Sequence, residues 1–252
     1  MDSTRPVVLV TGGSRGIGAA VARLASSRGF DVAVNYRTEK QAAEEVVAAC
    51  QKAGARAVAI GGDMAQEQDV VALFDSALAQ LGRLDHVVNN AGITGRSGRL
   101  ADTDAAVIRT AIDINVTGAI LVAREAARRL STRSGGQGGS LVNISSVAAE
   151  FGSPSEYVWY AASKGAIDSL TVGLCKELAG DGIRVNAVSP GLTATEIHAR
   201  STGDAGRVDR IAPQIPMGRV GSPEEIAEAV LFLISDGASY ISGANLKVSG
   251  GR

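Results

Sequence analysis

The stretch Val7-Val-Leu-Val-Thr11-Gly12-Gly13-Ser14-Arg15-Gly16-Ile17-Gly18 decides the fold. Val7–Val10 is a continuous apolar run, which reads as a strand buried on both faces; a strand with one wet face alternates apolar and polar residues. Glycines follow in the spacing Gly12-x-x-x-Gly16-x-Gly18, and helical periodicity runs from Gly16 to Arg28. Glycine lets the backbone turn sharply and approach a ligand closely. The start of a helix offers unpaired N–H groups and the positive end of its dipole. Strand, glycine turn and helix in this order form a cradle for a phosphate. Gly12-x-Ser14-x-Gly16 also fits a hydrolase nucleophile elbow, with acids and His198 further on. That elbow needs an earlier strand whose following loop donates an oxyanion N–H, and too little chain precedes Ser14 to supply one.

Outward from this turn, short apolar runs alternate with helical segments. Strands are expected at Asp31–Asn35, Arg56–Ile60, Asp85–Asn89, Leu141–Ser145, Ile183–Val188 and Leu246–Val248. Helices are expected over 38–53, 67–81, 104–131, 157–179 and Glu224–Ile234, the last with Ser222 as cap and Pro223 in its first turn. Strand–helix alternation means right-handed βαβ units and a parallel sheet. The expected architecture is α/β: one doubly wound, Rossmann-type domain over 1–252, with a sheet of about seven strands and helices on both faces. The glycine-rich stretch 134–139 reads as a loop. The irregular segment 191–218 reads as a substrate lid, since long loops inside compact domains are usually functional.

Composition narrows the function. With 25 basic and 26 acidic residues the net charge is −1, and no block of like charges marks a nucleic-acid surface. Cys50 and Cys175 stand in no metal or redox spacing, which predicts a reduced, cytoplasmic setting without disulfides. The apolar run near the N-terminus is too short for a signal peptide, and no uninterrupted apolar run reaches the length of a membrane span. His86 and His198, without HExxH or CxxC patterns, predict no metal site. His86 opens a strand and reads as structural; His198 falls in the expected lid and is a candidate substrate contact.

Cofactor choice turns on the end of the second strand. An NAD site places an acid there for the ribose 2′-hydroxyl. Here the strand ends Val34-Asn35-Tyr36-Arg37, and Arg37, with Arg15 from the glycine turn, would pair a 2′-phosphate. Glu39 is near the right sequence distance but is expected to start the next helix. NADP(H) is therefore the preferred cofactor, with NAD(H) as the second option.

Tyr160 and Lys164 stand four apart in a helical segment and project from one face. An ammonium beside a phenol stabilises the phenolate, and a positive nicotinamide would add to this, so the tyrosine is expected to titrate below its ordinary value. Such a tyrosine gives a proton to a carbonyl oxygen or takes one from an alcohol. The preceding strand ends Asn143-Ile-Ser145-Ser146, at the carboxyl edge where open sheets bind ligands. Adjacent strand residues face opposite ways; Ser146 is preferred over Ser145 on its distance to Tyr160. Asn115 sits mid-helix in Asp113-Ile-Asn-Val-Thr-Gly118, where a buried amide needs partners. Tyr157 and Trp159 are expected to line the substrate pocket.

Together these segments resemble the short-chain dehydrogenase/reductase family along essentially the whole chain. The resemblance implies a cofactor loop at Gly12, Ser14, Arg15, Gly16, Ile17 and Gly18, with Asn35, Tyr36 and Arg37 behind it. It implies Asp63 and Met64 at the adenine, and Asn89, Ala91 and Gly92 as a motif at the sheet edge. Pro190, Gly191, Thr193 and Thr195 would lie on the nicotinamide side. Asn115, Ser146, Tyr160 and Lys164 would be the catalytic tetrad, with Tyr160 and Lys164 also touching the cofactor: Tyr160 as acid/base, Ser146 orienting the oxygen, Lys164 on the ribose hydroxyls and Asn115 supporting a water relay. Asn35-Tyr-Arg37 and the tail Gly218-Arg-Val-Gly to Ser249-Gly-Gly251 are similar to ketoacyl reductases and glucose 1-dehydrogenase-like members. The implied activity is hydride transfer between a nicotinamide and a small carbonyl or secondary alcohol. Sugar dehydrogenation and a non-catalytic NADP-binding sensor or subunit stand as alternatives. The family also suggests a homotetramer built on the helices near 104–131 and 157–179, with no nucleic-acid or membrane partner. Arg96 and Arg99 are open between attracting an anionic substrate and simple solvation.

Overall fold

Side chains alternate sides along β1 (Val7–Val10), and both sides are dry. Val8 and Val10 pack with α1 (Gly16–Ser27), α2 (Lys40–Lys52) and α8 (Pro223–Ile234) on one face of the sheet. Val7 and Leu9 pack with α3 (Glu67–Leu81) and α5 (Ala119–Leu130) on the other. This two-sided burial is why the run is apolar throughout rather than alternating. The structure, a computed structural model, describes residues 5–196, 201, 206 and 210–252.

The sheet is seven-stranded, in the order β3-β2-β1-β4-β5-β6-β7, and each neighbouring pair is parallel. The remaining strands are β2 (Asp31–Tyr36), β3 (Ala57–Gly61), β4 (His86–Asn89), β5 (Gly139–Ile144), β6 (Ile183–Pro190) and β7 (Asn245–Val248). The order reverses at β1, between β2 and β4, and that reversal opens a crevice at the carboxyl ends of the strands. The expected doubly wound α/β class is the one found. A capping box at Ser222 and Glu225 starts α8, with Pro223 in its first turn.

Three expectations change. The predicted helix 104–131 is interrupted: α4 (Ala105–Ile112) passes into a π-helical segment, Asp113–Gly118, before α5. The predicted loop 134–139 gives its last residue to β5. Gly139 adopts φ +141°, and a Cβ there would collide with the Asp85 carbonyl, so glycine permits the strand rather than breaking it. Finally, Ala105–Leu130 is long and apolar enough to cross a bilayer by length and composition. In the fold it is a layer of the protein. Val122, Ala123, Ala126 and Leu130 are buried against the sheet, and buried Glu125 pairs with Arg124, Arg128 and Arg129.

Between β5 and β6 the chain forms α6 (Ala148–Phe151) and α7 (Val158–Glu177). Much of the expected lid, His198 included, falls outside the described residues.

Candidate active site

The glycine turn is held from two sides. Gly12 and Gly16 adopt left-handed φ values of +61° and +54°, and a Cβ on Gly18 would lie 2.6 Å from both the Gly12 carbonyl and the Asn90 amide. From β2, Asn35 accepts a bond from the Gly12 N–H at 3.1 Å and donates to the carbonyls of Ile60 and Gly62. From β4, the Asn90 amide donates to the carbonyls of Thr11 and Gly12 at 2.9 and 3.0 Å. Thr11 Oγ1 accepts from the N–H groups of Asn90 and Ala91. The turn is therefore built before any ligand arrives, with the N-terminus of α1 facing the cleft. Gly12 and Gly16, both in the left-handed region, bring bare backbone to the cleft wall, and the loop fits a pyrophosphate.

That cleft has a volume of about 520 Å³ and runs across the crevice at the reversal point. Gly12, Ser14, Arg15, Gly16 and Ile17 line it, as do Asn35, Tyr36, Arg37, Asp63 and Met64. Ala91, Gly92, Ser146, Tyr160, Lys164, Pro190, Gly191, Thr193 and Thr195 complete the expected set on its wall. Gly18, Asn89 and Asn115 stand behind the wall. Gly18 is a packing glycine. The Asn89 amide donates to the Ala119 carbonyl and to Asn143 Oδ1, tying the sheet to α5. Of the two adjacent amides, Asn90 is the one that turns towards Thr11 and holds the loop, which only the fold shows.

The chemistry gathers at the far end of the cleft. Ser146 and Tyr160 stand together on its wall, near enough for the Ser146 hydroxyl to favour the phenolate. The Ser145 hydroxyl donates to the Lys164 carbonyl at 3.2 Å. Lys164 Nζ donates to the Ile144 carbonyl at 2.7 Å and lies 5.7 Å from the centre of the Tyr160 ring. Tyr157 meets that ring edge-on at 5.6 Å. Trp159 is not on the cleft wall, contrary to expectation: it is buried, and its indole N–H donates to the Thr94 carbonyl at 2.8 Å.

The expected lowering of the tyrosine is also corrected. Burial pushes Tyr160 up to about 12, against the opposing hydrogen bond from Ser146. Burial likewise brings Lys164 down to about 8, opposed by the Asp168 carboxylate. At 5.7 Å from the ring centre the ammonium does not overcome desolvation.

Asn115 acts through its neighbours. Its Oδ1 accepts from the Ile93 N–H at 2.8 Å, and its amide donates to the Ile93 carbonyl and to Ser163 Oγ. It thus ties the π segment to the strand-four loop and to α7. At the adenosine end, Arg15 pairs with Glu39 at 3.3 Å and Arg37 with Asp63 at 3.8 Å. Glu39, expected only to begin a helix, is at the N-terminal boundary of α2 and also lines the cleft.

A reversal-point crevice, a preformed glycine cradle and a tyrosine–serine–lysine cluster define an α/β oxidoreductase that uses a nicotinamide dinucleotide. The chain belongs to the short-chain dehydrogenase/reductase family. The family model described as "Enoyl-(Acyl carrier protein) reductase" matches residues 12–252. An oxidoreductase of Escherichia coli K12 named YgfF, its activity uncharacterized, is 48% identical over 98% of this chain and 99% of its own. Glucose 1-dehydrogenase 2 of Bacillus subtilis is 37% identical over 99% of this chain and 95% of its own. A short-chain dehydrogenase from Burkholderia cenocepacia in complex with NADP superposes with a TM-score of 0.90 at 35% identity, covering 100% and 99% of the two chains. The 3-ketoacyl-(acyl-carrier-protein) reductase of Brucella melitensis complexed with NADH does so with a TM-score of 0.90 at 33% identity, covering 98% of each. The chain is thus a dehydrogenase/reductase acting on CH–OH groups with a nicotinamide cofactor.

Proposed function

We propose that this enzyme is NADP(H)-dependent, moves a hydride between the nicotinamide and a carbonyl or secondary alcohol, and uses Tyr160 as its acid/base. One observation carries the proposal: Tyr160, Ser146 and Lys164 meet in the same cleft as the glycine cradle. The bound cofactor supplies or accepts the hydride. Gly12, Ser14, Arg15, Gly16 and Ile17 would hold its pyrophosphate side, Arg15 and Arg37 its 2′-phosphate, Asp63 and Met64 its adenine, and Pro190–Thr195 its nicotinamide end. Lys164 would hold the ribose hydroxyls. The Ser146 hydroxyl orients the substrate oxygen beside Tyr160 Oη. Tyr160 then gives its proton to that oxygen in reduction and takes it back in oxidation. Asn115 keeps the Ile93 loop and Ser163 in register behind them, the place from which a water relay would run. An intact cluster favours this reading over a non-catalytic sensor.

The proposal includes a homotetramer and a cytoplasmic setting. Ile120 on α5 and Val172 on α7 are 46% and 49% exposed, which places apolar surface on the two helices expected to meet a second copy. The segment 191–218 is taken as the lid.

The first test is binding of NADPH and of NADH to the purified protein, followed by nicotinamide fluorescence, together with turnover of ketones by wild type and Tyr160→Phe. Tighter NADPH binding is expected, and Tyr160→Phe should lower kcat by about a thousandfold while leaving the NADPH Kd within a few-fold. Equal or tighter NADH binding overturns the cofactor assignment; a Tyr160→Phe enzyme at wild-type rate overturns the acid/base assignment.

A further inference from the structure

Between α6 and α7 the chain runs Gly152-Ser153-Pro154-Ser155-Glu156-Tyr157. Ser153 adopts φ +45° and Ser155 φ +63°, the only non-glycine residues with positive φ among those described. Glycine meets that conformation without cost, whereas a serine there is strained, and strain of this kind concentrates at functional sites. The main chain holds the strain in place: the Ser153 carbonyl accepts the N–H groups of Glu156 and Tyr157 at 3.3 and 3.2 Å, fixing the loop to the start of the helix that carries Tyr160.

The Ser153 side chain is a second anomaly. The residue is 2% exposed and lines the cleft, yet its hydroxyl has no hydrogen-bond partner. It is the one buried side-chain N or O atom so placed among the described residues. A buried hydroxyl without a partner is destabilising, and such groups are rare in folded proteins. The residue is on the cleft wall, so this hydroxyl is available to a group bound there. A ligand polar group arriving there would replace no existing bond.

We infer that Ser153 is a specificity-determining residue whose hydroxyl binds a second oxygen of the substrate, and that the substrate is a neutral diol or the corresponding hydroxyketone. The inference rests on the hydride-transfer reading above. A serine hydroxyl both donates and accepts, so it matches a substrate hydroxyl, which does the same. Glu156 and Glu196 line the same cleft. Their carboxylates disfavour an anionic substrate and accept bonds from hydroxyls. The Arg252 guanidinium lies over the Phe151 ring at 5.1 Å. The reacting oxygen takes Tyr160 and Ser146; the second takes Ser153.

The test compares cyclohexanol with cyclohexane-1,2-, 1,3- and 1,4-diol as substrates for oxidation by NADP+, in wild type and Ser153→Ala. A site that bonds a substrate hydroxyl discriminates against the analogue lacking it. Wild type should favour at least one diol over cyclohexanol by about tenfold in kcat/KM, and Ser153→Ala should bring that ratio close to one. Ser153→Ala, which keeps the backbone and removes only the unpaired hydroxyl, should also raise the Tm of the ligand-free protein by about 2 °C. Cyclohexanol and all three diols within twofold of each other in wild type overturns the inference while leaving the hydride-transfer reading intact. A diol preference that survives in Ser153→Ala does the same, as does a lowered Tm. Oxidation of none of the four overturns both.

Discussion

Arg15 and Arg37 each face a carboxylate, and under the proposed NADP(H) reading these pairs bear on how the cofactor is chosen. A 2′-phosphate entering between them competes with Glu39 for Arg15 and with Asp63 for Arg37. Exposed ion pairs are weak, so the competition is modest. Glu39→Gln should tighten NADPH binding by about threefold and leave NADH nearly unchanged, with the difference shrinking as salt is added. Fluorescence titration at low and high ionic strength checks this; an unchanged ratio of the two Kd values would show that Glu39 does not contest the phosphate. The sequence offered both arginines and their loop, but not their partners. Pairing of Arg15 with a residue 24 positions away depends on how β2 and the start of α2 sit beside the glycine turn. The same holds for Tyr160. Spacing puts it beside Lys164, but its titration is set by desolvation, a sum over neighbours brought together by the fold that no local pattern records.

At the scale of elements, the interruption of 105–130 by π-helical turns bears on the site. Asn115 sits in that segment and satisfies both backbone groups of Ile93. Asn115→Ala would leave that N–H and carbonyl buried without partners, at a cost of about 2 kcal/mol, and should lower the Tm by about 5 °C. Thermal unfolding of the variant, with and without NADPH, checks this; an unchanged Tm would mean that the Ile93 loop finds other donors and acceptors. Strand and helix types were legible because their periodicities differ and each element is long enough to show its own. Boundaries were less so. The π turns carry no sequence period of their own, and Gly139 joins β5 only because its amide meets the Gly182 carbonyl across the chain. Asn115 stood out as a polar residue in an apolar segment; its partners, on a loop and another helix, did not.

For the molecule as a whole, the sheet has two working ends. The carboxyl end holds the cleft; the opposite end holds a second cavity of about 580 Å³, lined by His86, Ser140, Arg184 and Tyr240 among others. His86 bonds Ser140 there at 2.9 Å, and burial lowers its titration to about 4, opposed chiefly by Asp85. In the unfolded chain the imidazole takes up its proton near 6.5. Between these values the unfolded state binds more protons, so stability falls as pH falls through that window. Wild type should lose about 2 kcal/mol from this source between pH 6.5 and pH 4, and His86→Gln should lack that part of the loss. Urea unfolding of both proteins across the window checks it; parallel curves would assign the acid loss to carboxylates alone. The strand order bears on time as well as space. β1 is made first and lies inside the sheet; β2 and β3 add to one side, and then β4 to β7 add to the other, each on an edge still open. A chain leaving the ribosome can therefore add each strand without displacing one already paired, and the bonds that hold the glycine cradle call on no residue later than Ala91.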